Sequence, residues 1–118
     1  MPEFRYAVPN LFVSDVSRAA RYYEEKLGFM VVSRDGDPPA WVTVRRGDVR
    51  LGLFPAGPHV PAGLGWVYLT VEDVDDLYFE YTNAGVQIRS PLRQWGEHKE
   101  FSVTDPDGNR FDIGLPPE

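Results

Sequence analysis

Slid along itself by 58 residues, the 118-residue sequence meets a second copy of its own pattern. Val8–Val16 (VPNLFVSDV) falls on Trp66–Val74 (WVYLTVEDV), so that Leu11 meets Leu69, Val13 meets Val71, Asp15 meets Asp73 and Val16 meets Val74. Further along, Tyr23 meets Tyr81, and at a shift of 57 Gly28 meets Gly85. Each half reads as an alternating strand, an acidic cap, an amphipathic stretch and a glycine stop, in the same order. A repeat of this kind constrains the fold strongly, because each copy must be one supersecondary unit.

The first amphipathic stretch places Val16, Ala19, Ala20, Tyr23 and Leu27 on one helical face. Ser14 or Asp15 is placed to cap its start, and Gly28 suits the left-handed position after its end. The second carries Val74, Leu77, Tyr78 and Tyr81 on one face, with Asp73 as cap, Asp75 and Asp76 in the first turn, and Gly85 as stop. Strands are expected at Phe29–Arg34, Trp41–Arg46 and Val49–Phe54 in the first half, with a tight turn at Gly47-Asp48. In the second half they are expected at Val86–Arg89, Glu100–Thr104 and Arg110–Gly114, the last two joined by the turn Asp105-Pro106-Asp107-Gly108-Asn109. Pro55–Gly63, with proline at 55, 58 and 61, reads as a semi-rigid extended connector. The expected architecture is α+β: one domain over 1–118, built from two βαβββ modules (about 5–54 and 64–115, connector 55–63) that form a curved, cleft-bearing mixed sheet.

Strand side chains alternate between faces. Leu11, Val13, Val42, Val44, Val49, Leu51 and Leu53 should lie under the helix in the first half. In the second, Leu69, Val71, Phe101, Val103, Phe111 and Ile113 should do the same. The opposite face then carries Asn10, Phe12, Trp41, Arg50 and Phe54 from one module, and Trp66, Tyr68, Glu100, Ser102, Arg110 and Asp112 from the other. Large aromatics mixed with a few polar groups suit a small-molecule cleft. The competing reading is a dimer interface or second core, for which so many polar residues are poor material.

Composition closes off other classes. The chain has no cysteine, which excludes disulfides, thiolate nucleophiles and iron–sulfur ligation. A net charge of −6 without a basic run argues against nucleic-acid binding. No apolar run approaches the ~20 residues of a membrane span. Met1-Pro2-Glu3-Phe4-Arg5 has no signal-peptide pattern, so a cytoplasmic location is expected. No Ser–His–Asp arrangement is visible. His59 lies in the connector, and His98 falls in an expected loop after Trp95. On adjacent strands, Glu100 and Asp112 are a conceivable acid–base pair, but a salt bridge to Arg110 or Arg50 is the better reading.

Three segments resemble a known family. Ala7–Phe29 (AVPNLFVSDVSRAARYYEEKLGF), Leu64–Tyr81 (LGWVYLTVEDVDDLYFEY), and the run from Trp95-Gly96 through Glu100-Phe101 to the DPDGN turn resemble the vicinal oxygen chelate superfamily. That superfamily holds glyoxalases, extradiol dioxygenases, fosfomycin-resistance enzymes and bleomycin-resistance proteins. Ala7-Val8-Pro9, Trp66 and Trp95-Gly96 point to the drug-binding branch. The three residues Glu97-His98-Lys99 between Trp95-Gly96 and Glu100-Phe101 exceed that pattern and put ligand choice in doubt.

The resemblance implies where a metal would sit. The superfamily's ligand positions fall on Val8, Gly52, Trp66 and Asp112. A divalent site needs three or more donors, and only Asp112 offers one, so no metal and no cofactor is expected. The resemblance also implies a homodimer whose N-terminal strand, hinged near Pro9, is exchanged between subunits. From the residues alone, Pro9 says only edge strand or hinge. The resulting expectation is a non-enzymatic, metal-independent protein that sequesters a cationic aromatic antibiotic of the bleomycin type. In it Trp41, Phe54, Trp66 and Trp95 would stack on flat rings. Glu100 and Asp112, with Asp35 or Asp37, would supply negative charge, and any metal would arrive with the drug. The alternatives are a metal-dependent isomerase, lyase or dioxygenase of the same superfamily, or a cleft dimer binding an unrelated metabolite.

Overall fold

A computed structural model describes residues 1–115. The element order is β1 (Asn10–Val13), α1 (Val16–Glu25), β2 (Met30–Arg34), β3 (Val42–Arg46), β4 (Val49–Pro55), β5 (Trp66–Thr70), α2 (Val74–Ala84), β6 (Gln87–Trp95), β7 (His98–Thr104) and β8 (Arg110–Leu115). The fold is α+β, as the repeat predicts, and its mixed sheet comes in two four-stranded parts of identical topology. Their orders are β1-β4-β3-β2 and β5-β8-β7-β6. In each, the first and last strands of the module pair in parallel, and the other pairs are antiparallel. Among the described residues, no helix is long and apolar enough to cross a membrane.

The inward sets are buried as the period of two predicts, Val49 and Val71 only partly, while Ser102 and Asp112 on the opposite face are buried as well. Leu11, Val13, Val42, Val44, Leu51 and Leu53 are buried in the first sheet, and Leu69, Phe101, Val103, Phe111 and Ile113 in the second. With Val16, Ala19, Ala20 and Tyr23 of α1 and Val74, Leu77 and Tyr81 of α2 they form one core that both modules share. Asp15 caps α1 by accepting the Arg18 N–H at 3.1 Å. Asp73 makes no such side-chain bond at the start of α2, so that helix relies on Asp75 and Asp76 in its positive first turn.

The tyrosines that coincide in the repeat tie the modules together. The Tyr23 hydroxyl donates to Asp105 Oδ2 at 2.7 Å, across to the second module. The Tyr81 hydroxyl donates back to the Leu27 carbonyl at 2.8 Å. Burial pushes the Tyr81 pKa up to about 12, and burial and the Asp105 carboxylate push that of Tyr23 well above its ordinary value. Asp105 also accepts the backbone N–H groups of Asp107, Gly108 and Asn109 and the Asn109 side-chain amide. The predicted turn is thus closed around a buried carboxylate. Outside this core, Arg46 makes a bidentate pair with Glu80.

Three boundaries differ from the sequence reading. The connector is not extended throughout: Gly57 and Val60 exchange two backbone hydrogen bonds and fold it back. Strand β6 runs to Trp95 rather than stopping at Arg89, carrying Pro91 along. It is an edge strand, where a missing N–H costs no ladder bond, and its pairing with β7 shifts register between Ser90 and Arg93. β7 begins at His98, opposite Trp95, so Gly96-Glu97 is a two-residue hairpin turn with Gly96 at φ +62°.

Candidate functional site

Each sheet turns its second face away from the shared core, and the predicted site residues stand on those faces, except Asp35 and Asp37, which lie in the turn between β2 and β3. They form two groups, one on each sheet. In the first module the stacked rings of Trp41 and Phe54 have centroids 6.1 Å apart, and Phe12 leans on Phe54 at 6.4 Å. The Asn10 side chain lies over Gly52, filling the space a side chain there would need. Asn10 and Phe12 also line a cavity of about 260 Å³ with His59, Val60, Pro61, Leu64 and Gly65. Tyr6, ahead of the first strand, lies under the Arg50 guanidinium at 4.1 Å.

In the second module Asp112 is the hub. Arg110 donates to it through Nε at 2.8 Å and Nη2 at 3.1 Å, and the Trp66 indole N–H donates at 2.7 Å. The same guanidinium lies over the Trp66 ring at 4.2 Å, while the ring itself is 67% exposed. Burial works to raise the Asp112 pKa, but the hydrogen bonds from Arg110 and Trp66 overcome it and hold the carboxyl below the usual range. This settles one expectation in favour of the salt bridge: Asp112 is paired with Arg110 and is not free to anchor a cation. Asp37 likewise pairs with Arg34 in an exposed turn.

Along β7, His98, Glu100 and Ser102 share one face by strand alternation. His98 Nε2 lies 3.0 Å from Glu100 Oε2. The half-exposed Trp95 ring covers the imidazole at 4.3 Å, with Arg93 over that indole at 4.9 Å. The Tyr68 hydroxyl sits above Gly114, where any Cβ would meet it at 2.7 Å. Burial and the adjacent Glu100 carboxylate raise its pKa.

His98 is the residue the sequence reading misplaced. The local pattern places it in a loop, whereas it is a strand residue only 8% exposed. The signal was available: His98, Glu100, Ser102 and Thr104 continue one alternation, and Gly96 supplies the hairpin turn.

The residues at the superfamily's metal positions do not fit an ion. Val8, Gly52 and Trp66 offer no carboxylate, thiolate or imidazole, Gly52 is covered by Asn10, and Asp112 is engaged by Arg110 and Trp66. Among the described residues no three His, Cys, Asp or Glu side chains gather closely enough to hold one.

Comparison with known proteins places this geometry. The family model for the Glyoxalase/Bleomycin resistance protein/Dioxygenase superfamily matches residues 5–113. A bleomycin resistance protein of Geobacillus stearothermophilus is 25% identical over 122 aligned residues, covering 87% of this chain and 90% of that protein. A virulence protein of Salmonella typhimurium is 29% identical over 112, covering 87% and 78%. Among solved structures, a bleomycin-binding protein of Streptomyces verticillus, complexed with copper(II)-bleomycin, is similar with a TM-score of 0.79 at 28% identity, over 99% of this chain and 100% of that one.

Proposed function

The chain belongs to the Glyoxalase/Bleomycin resistance protein/Dioxygenase superfamily, and from that premise we propose that it is a metal-independent binding protein that sequesters a cationic aromatic antibiotic of the bleomycin type. The observation that carries the reading is the pair of aromatic sheet faces: Phe12, Trp41 and Phe54 on one, Trp66, Tyr68 and Trp95 on the other. Planar rings on a sheet turned away from the core, exposed at Trp66, Tyr68 and Trp95 and half-buried at Phe12, Trp41 and Phe54, suit flat ligands that stack. The similarity to bleomycin resistance and bleomycin-binding proteins supports the ligand class. The poor donor set at the superfamily's metal positions favours binding over metal chemistry.

The two faces belong to separate sheets, so the complete cleft is proposed to form between two copies, with the first module of one facing the second module of the other. The N-terminal segment supports this. Phe4, Tyr6 and Val8 alternate like a strand and stand exposed, and residues 1–9 form no strand within their own chain. Exchange of that segment about Pro9 would give it a partner.

The test is a titration with metal-free bleomycin followed by intrinsic tryptophan fluorescence. Saturable quenching at about one drug per chain is expected, since all three tryptophans lie on the proposed cleft. Absence of quenching, with no heat of binding by calorimetry, would refute the proposed ligand.

A further inference from the structure

Two buried side-chain atoms on the second module's outer face have no hydrogen-bond partner among the described residues: His98 Nδ1 and Ser102 Oγ. They flank Glu100 on β7, and Ser102 is only 4% exposed. Unpaired buried polar atoms are uncommon and cost stability, so they call for a reason. The chemistry of the row supplies one. A carboxylate only accepts, so His98 Nε2 carries the hydrogen facing Glu100, and in the neutral ring Nδ1 is then an acceptor. Glu100 is an acceptor too, and Ser102, whose hydroxyl can turn its one hydrogen toward a carboxylate, accepts through two lone pairs. The row therefore presents acceptors in sequence, and what complements it is a group rich in N–H donors.

Charge narrows the group further. The neighbouring Asp112 is neutralised by Arg110. Among the described residues Glu100 has no guanidinium or ammonium within ion-pair distance; its neighbours are His98 and the Tyr68 hydroxyl. Arg93, opposite Glu100 in register, lies over Trp95 instead. Tyr68 brings a neutral hydroxyl, and Lys99 is tied to Asp75. A cation is thus the ligand charge that Glu100 lacks.

We infer that His98, Glu100 and Ser102 form a specificity row for an amidinium or ammonium group of the ligand, with Trp95 covering the imidazole end. The inference rests on the binding reading above but concerns a narrower matter, which chemical group the second module selects. The inserted Glu97-His98-Lys99 segment gives it a sequence counterpart: it brings an imidazole next to Glu100.

The test uses the full-length protein and three small aromatic probes of one shape, benzamidinium, benzamide and benzoate, titrated by tryptophan fluorescence and calorimetry at pH 8. Benzamidinium should bind at millimolar concentration, benzamide more weakly, and benzoate not at all. Ser102→Ala should weaken benzamidinium about tenfold, the value of one hydrogen bond to a charged group, while leaving the urea midpoint unchanged or raised. His98→Phe, which keeps a ring beneath Trp95, should weaken it similarly. Binding by both variants within twofold of the parent protein, equal binding of benzoate, or no benzamidinium binding would overturn the row. Bleomycin titrated in parallel separates the two proposals. If bleomycin and benzamidinium both bind, and neither responds to these substitutions, only the specificity row fails. If benzamidinium binds through the row and bleomycin does not bind, only the drug reading fails.

Discussion

Asp112 shows how one side chain can read as a ligand anchor in sequence and serve as a structural hub in the fold. Its carboxylate organises Arg110 and the Trp66 indole, and so fixes the plane of the most exposed tryptophan on the second face. The direction of its pKa gives a pH test. A carboxyl held below its unfolded value, about 3.9, stabilises the fold at every pH above that value and loses the contribution as pH falls through the folded one. Asp112→Asn is expected to cost about 1–3 kcal/mol at pH 7 by removing charged hydrogen bonds. The deficit should narrow below about pH 4, where the parent carboxyl also protonates. Urea unfolding at pH 7 and pH 3 measures both, and an equal deficit at the two would show that the charge is not the source.

The β6–β7 hairpin is the element that decides the second face. Its two-residue turn sets Trp95 opposite His98, the register carried from there puts Glu100 against Arg93, and the shift between Arg93 and Ser90 then brings Ser102 against Ser90. The turn needs Gly96 at φ +62°, where a Cβ costs about 1–2 kcal/mol. Gly47, at φ +59° in the β3–β4 hairpin, faces the same penalty, and a Cβ on either glycine would meet nothing within 4 Å. Gly96→Ala and Gly47→Ala should therefore lower thermal stability by similar amounts. Only Gly96→Ala should also shift tryptophan emission and weaken ligand binding, because only that turn positions Trp95 and His98. Equal effects on binding would remove the hairpin from the site.

In the molecule as a whole, the repeat produces two equivalent modules whose helix-side surfaces merge into one core, leaving the opposite face of each sheet outside it. The contacts between modules are varied: Tyr23 to Asp105, Tyr81 to Leu27, Arg46 to Glu80, and the Asn109 amide to the Phe12 carbonyl. Gly63 is required here, since with φ +83° its absent Cβ would collide with the Asp107 carbonyl. With exposed aromatics on the second face and an alternating N-terminal segment outside any strand, the chain is expected to be a dimer in solution. Removing residues 2–8 is expected to yield monomer by analytical ultracentrifugation and to abolish tight bleomycin binding, while the far-ultraviolet circular dichroism stays close to that of the parent. A truncated protein that remains dimeric would rule out exchange of that segment as the source of association.

Much of this arrangement was legible before any coordinates, for a local reason. Burial on one face imposes a period of 2 on a strand and 3.6 on a helix, and both periods are written in neighbouring residues. The inward sets from Leu11 to Ile113, the two helices and the glycine stops follow from that. The repeat then dictates equivalent topology, since equivalent units pack in equivalent ways. What local pattern does not contain is register and partnership. The extension of β6 past Pro91 depends on its being an edge strand, which is a property of the sheet. The burial of His98 depends on its pairing with Trp95, and the engagement of Asp112 on Trp66 arriving from another strand. The separation of the candidate site into two faces arises only when Tyr23 and Tyr81 cross between modules and place the common core between them. Side-chain periodicity is set residue by residue, whereas the groups that end up sharing a face and a proton are chosen by contacts between segments far apart in the chain.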